Sequence, residues 1–298
     1  MPPVTEHKHV FSSAGKALDA SLYMPDVEDP PVIVLGQGFG AERTFGTRGF
    51  IDAFLAAGVA VFSFDYRGFG KSEGKPRQLV NPKRHCQDWN NAVQYVRSLQ
   101  VIDNERVFLW GSSFAGGHVL VTAADVPGLA GVIAQVPFCS SRSMARTTSF
   151  GKILRSLGHA LLDLVCAVFG REHRVALVGE PGEGFAMMDW PGWKEDYLKL
   201  AAGSETWTNS MPARSILAVS GYNPIDKAAK ILCPVLIISG EHDQGVPRDD
   251  VLNTVAKIPH CRHVEMDFDH FDLYDGFAKH HQAVELQLEF LRDCLGEN

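Results

Sequence analysis

The run Val107-Phe-Leu-Trp110, then Gly111-Ser-Ser-Phe-Ala115, then Gly116-Gly-His-Val-Leu-Val121, decides how this chain is read. A strand, a sharp turn of small residues around a serine, and a helix give a G-x-S-x-G-type pattern its meaning. Such a turn strains the serine backbone, so the residues two places on either side must be small. Gly111 and Ala115 meet that need for Ser113, whereas Ser112 would be flanked by Trp110 and Phe114. Ser113 is therefore the candidate nucleophile.

On either side of this turn, strand-like and helix-like segments alternate. A hairpin opens the pattern, Val10-Phe-Ser12 against Ala17 to Met24, closed at Ser13-Ala-Gly-Lys16. Pro31-Val-Ile-Val-Leu35 and Val59-Ala-Val-Phe-Ser-Phe64 are continuous apolar runs, as buried parallel strands require. Helices are expected over Phe50 to Ala57, ending at Gly58, and over Gln87 to Leu99, with Trp89, Ala92, Val93 and Val96 on one face. Strands Arg106 to Trp110 and Gly131 to Val136 follow. From about Cys139 to Tyr222 the alternation stops. It resumes with strand Pro234 to Ser239, helix Asp249 to Ile258, strand Arg262 to Met266 and a long helix from Phe277 to Leu295. The pattern predicts an α/β fold, a mostly parallel sheet flanked by helices, with an insertion too long for a plain connection.

Composition narrows the partners. The 298 residues suffice for a large buried core, and 45% hydrophobic with 21% charged residues describe an ordinary globular chain. A net charge of −7 argues against nucleic acid, whose phosphates call for clustered Lys and Arg. Cys86, Cys139, Cys166, Cys233, Cys261 and Cys294 are scattered without metal-ligand spacing, which predicts free thiols in a reducing compartment. Met1-Pro-Pro-Val-Thr-Glu-His-Lys-His9 has no apolar core of a signal peptide, so a cytoplasmic location is expected. Ile153 to Phe169 is strongly apolar, but Arg155, His159 and Asp163 interrupt it. It reads as an amphipathic helix and not as a membrane span.

A serine hydroxyl needs a base, and the base needs an orienting acid. Asp243 fits the acid, at the end of the strand Val235-Leu-Ile-Ile-Ser239 with Glu241 the nearby rival. His270 fits the base, following Val264-Glu-Met-Asp-Phe-Asp269 and preceding the last helix. Twelve histidines make an isolated one uninformative. Only His270 has the right position: His263 lies mid-strand, His242 adjoins the acid, and His280 and His281 sit in the last helix. His85, His118 and His159 read as ordinary surface or core residues. The carboxyl edge of a parallel sheet is where such folds place ligands. An oxyanion hole, usually two backbone N–H groups, is expected from Phe114 and from Phe39 in the loop Gly36-Gln-Gly-Phe-Gly40. No metal or organic cofactor is implied.

With these residues in view, the chain resembles the α/β-hydrolases, and within them the fungal polyketide acyltransferases and their bacterial hydrolase relatives. The matching stretches are Phe64-Asp-Tyr-Arg-Gly-Phe-Gly-Lys-Ser-Glu-Gly74, Trp110-Gly-Ser-Ser-Phe-Ala-Gly-Gly-His-Val119, Gln135-Val-Pro-Phe138, Thr206-Trp-Thr-Asn209, Pro212-Ala-Arg-Ser215 and His270-Phe-Asp-Leu-Tyr-Asp-Gly276. The resemblance implies an acyl-serine mechanism on esters or thioesters of a small-molecule acyl substrate. It also implies a helical cap, inserted after the sixth strand. The core would comprise 1–138 and 223–298 and the cap 139–222. Ala115 stands at the last small position of the elbow, and Gln37 where many relatives of the fold carry His. Hydrolysis and acyl transfer both occur in the family, and a homodimer is left open.

Other readings compete. Gly36-Gln-Gly-Phe-Gly-Ala41 matches the nicotinamide fingerprint G-x-G-x-x-[GA], with Asp65 ending the next strand. Against it, Gly46 and Gly49 interrupt the helix that should begin at once. Gly70-Lys-Ser72 is not a phosphate loop, since the required earlier glycine falls on Asp65. Asp65 and Arg67 instead suit tying down a loop. A cofactor-free C–C bond hydrolase or lyase would use the same three residues. In the insertion, an apolar helix with Phe185, Met187, Met188, Trp190 and Trp193 would line an acyl pocket or form the insertion's own core. Arg171, Arg174 and Arg214 would meet an anionic group or surface carboxylates.

Overall fold

The alternation of side chains along Val32-Ile-Val-Leu35 sets the layers of the molecule. Val32 and Val34 belong to a core on one face of the central sheet, and Ile33 and Leu35 to a separate core on the other. A strand buried on both sides leaves no room for a polar position, which is why this run is apolar throughout. The computed structural model describes residues 5–296. The reading that the N-terminus carries no leader falls partly on residues 1–4, outside the described residues.

The hairpin is β1 (Thr5–Ser13) with β2 (Lys16–Met24), followed by β3 (Pro31–Gly36), α1 (Arg48–Ala56), β4 (Ala60–Phe64) and α2 (Pro82–Arg97). Then come β5 (Asp103–Ser112), α3 (Phe114–Asp125) and β6 (Gly131–Gln135). Between β6 and the next strand of the main sheet lie α4 (Ser141–Thr147), α5 (Phe150–Val168), β7 (Arg174–Val178), β8 (Ala186–Met188), α6 (Trp193–Ala201), β9 (Met211–Pro212) and α7 (Ser215–Val219). The chain ends with β10 (Val235–Gly240), α8 (Arg248–Val255), β11 (Cys261–Met266) and α9 (His280–Leu295). The eight-stranded sheet has the order β1-β2-β4-β3-β5-β6-β10-β11, antiparallel at β1/β2 and β2/β4 and parallel from β4 onward. Trp89 and Val93 of α2 and Val119 of α3 pack on one face, Phe50 and Phe54 of α1 and Phe290 of α9 on the other. Winding leaves β3 in one direction and β5 in the other. The loops after these two neighbours therefore open a crevice at the switch point.

Two expectations need correction. α2 begins at Pro82 and not near Gln87, because the Asn81 side chain accepts from the Arg84 amide and Pro82 suits the first turn. That extra turn carries His85 into the interior and leaves Cys86 half-buried beside it. The segment between β6 and β10 is not wholly helical: β8-β7-β9 form a small second sheet. Phe185 to Trp190 is not a helix, since Gly182 and Gly184 precede it at positive φ and Ala186 and Met188 pair with β7. A helix resumes only at Trp193, after Gly192 at φ 81°.

Asp163 pins this segment together. Its wholly buried carboxylate accepts from the His173 and Arg214 amides at 2.8 Å each, with the Arg214 guanidinium 2.9 Å away but off hydrogen-bond alignment. Asp163→Ala leaves two buried amides unpaired and should lower stability by about 3 kcal/mol in urea denaturation. An unchanged midpoint would show that α5 is held by apolar packing alone.

Candidate active site

Ser113 sits between β5 and α3 at φ 58° and ψ −121°, a conformation that side chains rarely adopt. Close packing behind it explains the small residues. A Cβ on Gly111 would lie 2.3 Å from the Ala115 carbonyl oxygen, and one on Gly117 2.4 Å from that of Phe138. Ser112 turns the other way, wholly buried, donating to the Tyr274 hydroxyl at 2.8 Å and accepting from Gln135 at 3.1 Å. The two serines have opposite surroundings, and only Ser113 faces the crevice.

His270 and Asp243 meet Ser113 there. His270 Nε2 is 3.0 Å from the Ser113 hydroxyl, and Nδ1 is 2.7 Å from Asp243 Oδ2. The second Asp243 oxygen accepts from the Gly245 and Val246 amides at 2.9 and 3.0 Å, which fixes the carboxylate plane. The His270 and Asp243 side chains are 3% and 2% exposed, so water does not compete for this pair. Trp193 of α6 stacks on the imidazole, with centroids 4.6 Å apart and planes at 24°. Glu241, the rival acid, is exposed and is not part of this chain of bonds.

The loop after β3 lies against Ser113. A Cβ on Gly38 would be 3.1 Å from Ser113 Cβ and from the Ser112 carbonyl oxygen, a tight contact that glycine avoids. Among the described residues no acceptor is bonded to the amides of Phe39 or Phe114. Three of the loop's carbonyls, by contrast, are held by aromatic donors: Gln37 by Tyr66 at 3.0 Å, Phe39 by Tyr197 at 2.8 Å and Gly40 by Trp207 at 3.0 Å. Tyr197 and Trp207 come from the segment between β6 and β10, and sequence reasoning assigned them no role. Asn209, likewise unassigned, clamps Val178 through both its amide and carbonyl at 2.9 and 2.8 Å. Asp65 accepts from the Arg43 amide at 2.8 Å and Arg67 pairs with Asp88 at 2.7 Å, tying the loop after β4. No helix follows the glycine loop at once; α1 starts only at Arg48, so the nicotinamide pattern lacks its helix N-terminus.

A cavity of about 270 Å³ opens from Ser113 and His270 toward α5. Met187, Met188, Trp190 and Trp193 line it, whereas Phe185 packs on the His159 ring. None of Arg171, Arg174 and Arg214 lines it; the cation that does is Lys152, paired with Asp189. A larger groove of about 730 Å³ lies by β1 and α1 and shares no residue with this one. Among the described residues no His, Cys, Asp or Glu cluster could hold a metal.

Two buried imidazoles support the floor. His85 lies 3.3 Å from His118, which reaches the Tyr222 hydroxyl at 2.6 Å and packs edge-on against Phe114. Burial pushes His85 down to about 3 and holds His118 well below the ordinary imidazole value, so both are neutral in the folded protein. The unfolded chain protonates them near 6.5, so it takes up more protons as the pH falls below that value. Their contribution to stability is complete above about pH 6.5 and is lost as pH falls toward 3. The melting temperature should drop between pH 7 and 5, less steeply in His85→Gln. A slope unchanged by that substitution would assign acid sensitivity to other groups.

A strained serine at the switch point of a wound, mostly parallel sheet, with a histidine brought to it from a later strand end, defines the α/β-hydrolases. Residues 30–271 match the family described as "Serine aminopeptidase, S33", and the chain belongs to it. It is 35% identical to the quorum-quenching protein AidA of Acinetobacter baumannii, over 95% of this chain and 93% of that one. It is 34% identical to the thiohydrolase aneE of Aspergillus aculeatus, over 94% and 91%. It is 24% identical to the polyketide transferase af380 of Aspergillus fumigatus, over 94% and 95%. The solved α/β-hydrolase GrgF from Penicillium sp. sh18 shares the fold, with a TM-score of 0.83, 21% identity and coverage of 98% and 99%. The protein is an α/β-hydrolase enzyme of the serine-hydrolase type.

Proposed function

We propose that this protein hydrolyses a carboxylic ester or thioester with a hydrophobic acyl group through an acyl-serine intermediate. The observation that carries the reading is the continuous path from Asp243 through His270 to Ser113, ending at the mouth of an apolar cavity. His270 takes the Ser113 proton as the hydroxyl attacks the acyl carbonyl, and Asp243 keeps the ring aligned and stabilises its positive form. The Phe39 and Phe114 amides receive the oxyanion, a contribution that reaches about 10²–10³ in rate per donor in other enzymes. His270 then protonates the leaving alcohol or thiol and activates water against the acyl-enzyme. The residues 139–222 act as a cap whose Met187, Met188, Trp190 and Trp193 hold the acyl chain. The relatives named as a thiohydrolase and a polyketide transferase support an acyl carbonyl as the common substrate element.

Acyl transfer is the second reading. A vestibule of about 380 Å³ shares Met144, Thr148, Lys152 and Trp190 with the acyl cavity and offers an acceptor alcohol a route to the acyl-enzyme. The deacylation step separates the two, since added alcohol speeds turnover only when it competes with water.

A fluorophosphonate should add once, at Ser113, and acyl thioesters should leave an acyl mass on the intact protein. Ser113→Ala should lose both adducts and His270→Ala about 10⁴-fold or more in turnover. Near-normal turnover in either variant would remove the mechanism. Met187→Ala and Trp190→Ala should each shift preference toward longer p-nitrophenyl esters by about 10-fold in kcat/KM, as expected for one or two methylenes' worth of contact. An unchanged chain-length profile would assign these side chains to packing.

A further inference from the structure

We infer that the outer face of α5 is a self-docking surface, on which the same helix of a second copy lies antiparallel. The inference is independent of the reaction proposed above. The inner side of α5 is fixed by Asp163 and Ala160, both wholly buried. The outer side is apolar and open. Phe150, Leu154, Leu157, Leu161, Leu164 and Val168 repeat at intervals of four and three, with Phe150, Leu161 and Val168 exposed to 74%, 58% and 82%. That spacing is the seam of a coiled coil, sustained along the whole helix of about 28 Å. Leu162, Val165 and Phe169 widen it.

Size is the first argument for a partner. From their exposed fractions these side chains offer on the order of 800 Å² of apolar surface, more than the largest patch of a typical monomer and enough to supply most of one partner's share of a stable interface. Symmetry names the partner. About a twofold axis at residue 159, Phe150 faces Val168, Leu154 faces Leu164, and Leu157 faces Leu161, each contact made twice. Gly151 and Gly158 meet nothing within 4 Å where a side chain would stand, which leaves room for a neighbouring helix. Antiparallel pairing also sets opposite helix dipoles side by side. A lipid surface fits less well. Helices that lie on membranes carry a polar face rich in Lys and Arg, whereas α5 has Lys152, already paired with Asp189, and Arg155, in a chain of net charge −7.

Pairing has a consequence for the cavity. Leu157 belongs to the seam and also lines the acyl cavity, with Lys152, Ile153 and Ser156 of the same helix. A second copy therefore covers the outer side of one cavity wall and holds α5 in place.

Sedimentation velocity at micromolar concentration should show a dimer for the wild-type chain. Leu161→Glu and, separately, Val168→Glu should sediment as monomers with unchanged circular dichroism and undiminished fluorophosphonate labelling at Ser113. Labelling reports on the serine site alone, so its loss in the wild type would count against the proposed reaction and not against the dimer. A wild-type monomer at every concentration, a dimer that survives both substitutions, or a monomer that pellets with phosphatidylglycerol vesicles would each overturn the inference.

Discussion

The backbone of Ser113 is held at φ 58°, where a non-glycine residue costs on the order of 1–3 kcal/mol, and the surrounding structure supplies the restraint. Its amide donates to the Gln135 carbonyl at 2.9 Å, and its own carbonyl accepts from the Phe138 amide at the same distance. Both partners belong to β6 and the turn after it, so the elbow is tied to the neighbouring strand on each side. Strain in the turn pushes the hydroxyl into the crevice. The packing that holds it there leaves no space for a Cβ at Gly111.

Behind the elbow, polar groups form an unbroken chain. Trp110 donates to Gln287, Gln287 to Gln135, Gln135 to Ser112, and Ser112 to Tyr274, over distances of 2.8 to 3.1 Å. Buried polar groups left unpaired would be costly, and here each finds a partner on a different element. The chain runs from β5 through α9 and β6 to the segment after β11. It fixes the relative position of strand ends that supply Ser113 and His270. Burial holds the Tyr274 phenol well above its ordinary range, so it stays protonated.

Much of this was legible in the sequence. The doubly buried strands announce themselves as unbroken apolar runs, and the elbow by Gly111 and Ala115. Asp243 and His270 stand out because each follows a strand and precedes a helix, but the 3.0 and 2.7 Å spacings are properties of the folded chain alone. The segment between β6 and β10 was the opaque part. Its short strands lack any sustained period, and its apolar residues between Phe185 and Trp193 imitate helical spacing while glycines and backbone pairing impose another shape. Trp193, Tyr197 and Trp207 carry their roles through single bonds or stacking to distant loops, and Asn209 through a pair of bonds to β7, which no local pattern encodes.

The grip of Tyr197 and Trp207 on the carbonyls of Phe39 and Gly40 makes the two halves of this molecule interdependent. A foreign insertion grafted between β6 and β10 would bring a new pocket but would leave those carbonyls unanchored and the His270 ring without its Trp193 cover. Exchange of modules in such a scaffold must therefore transplant three aromatic anchors together with the binding surface.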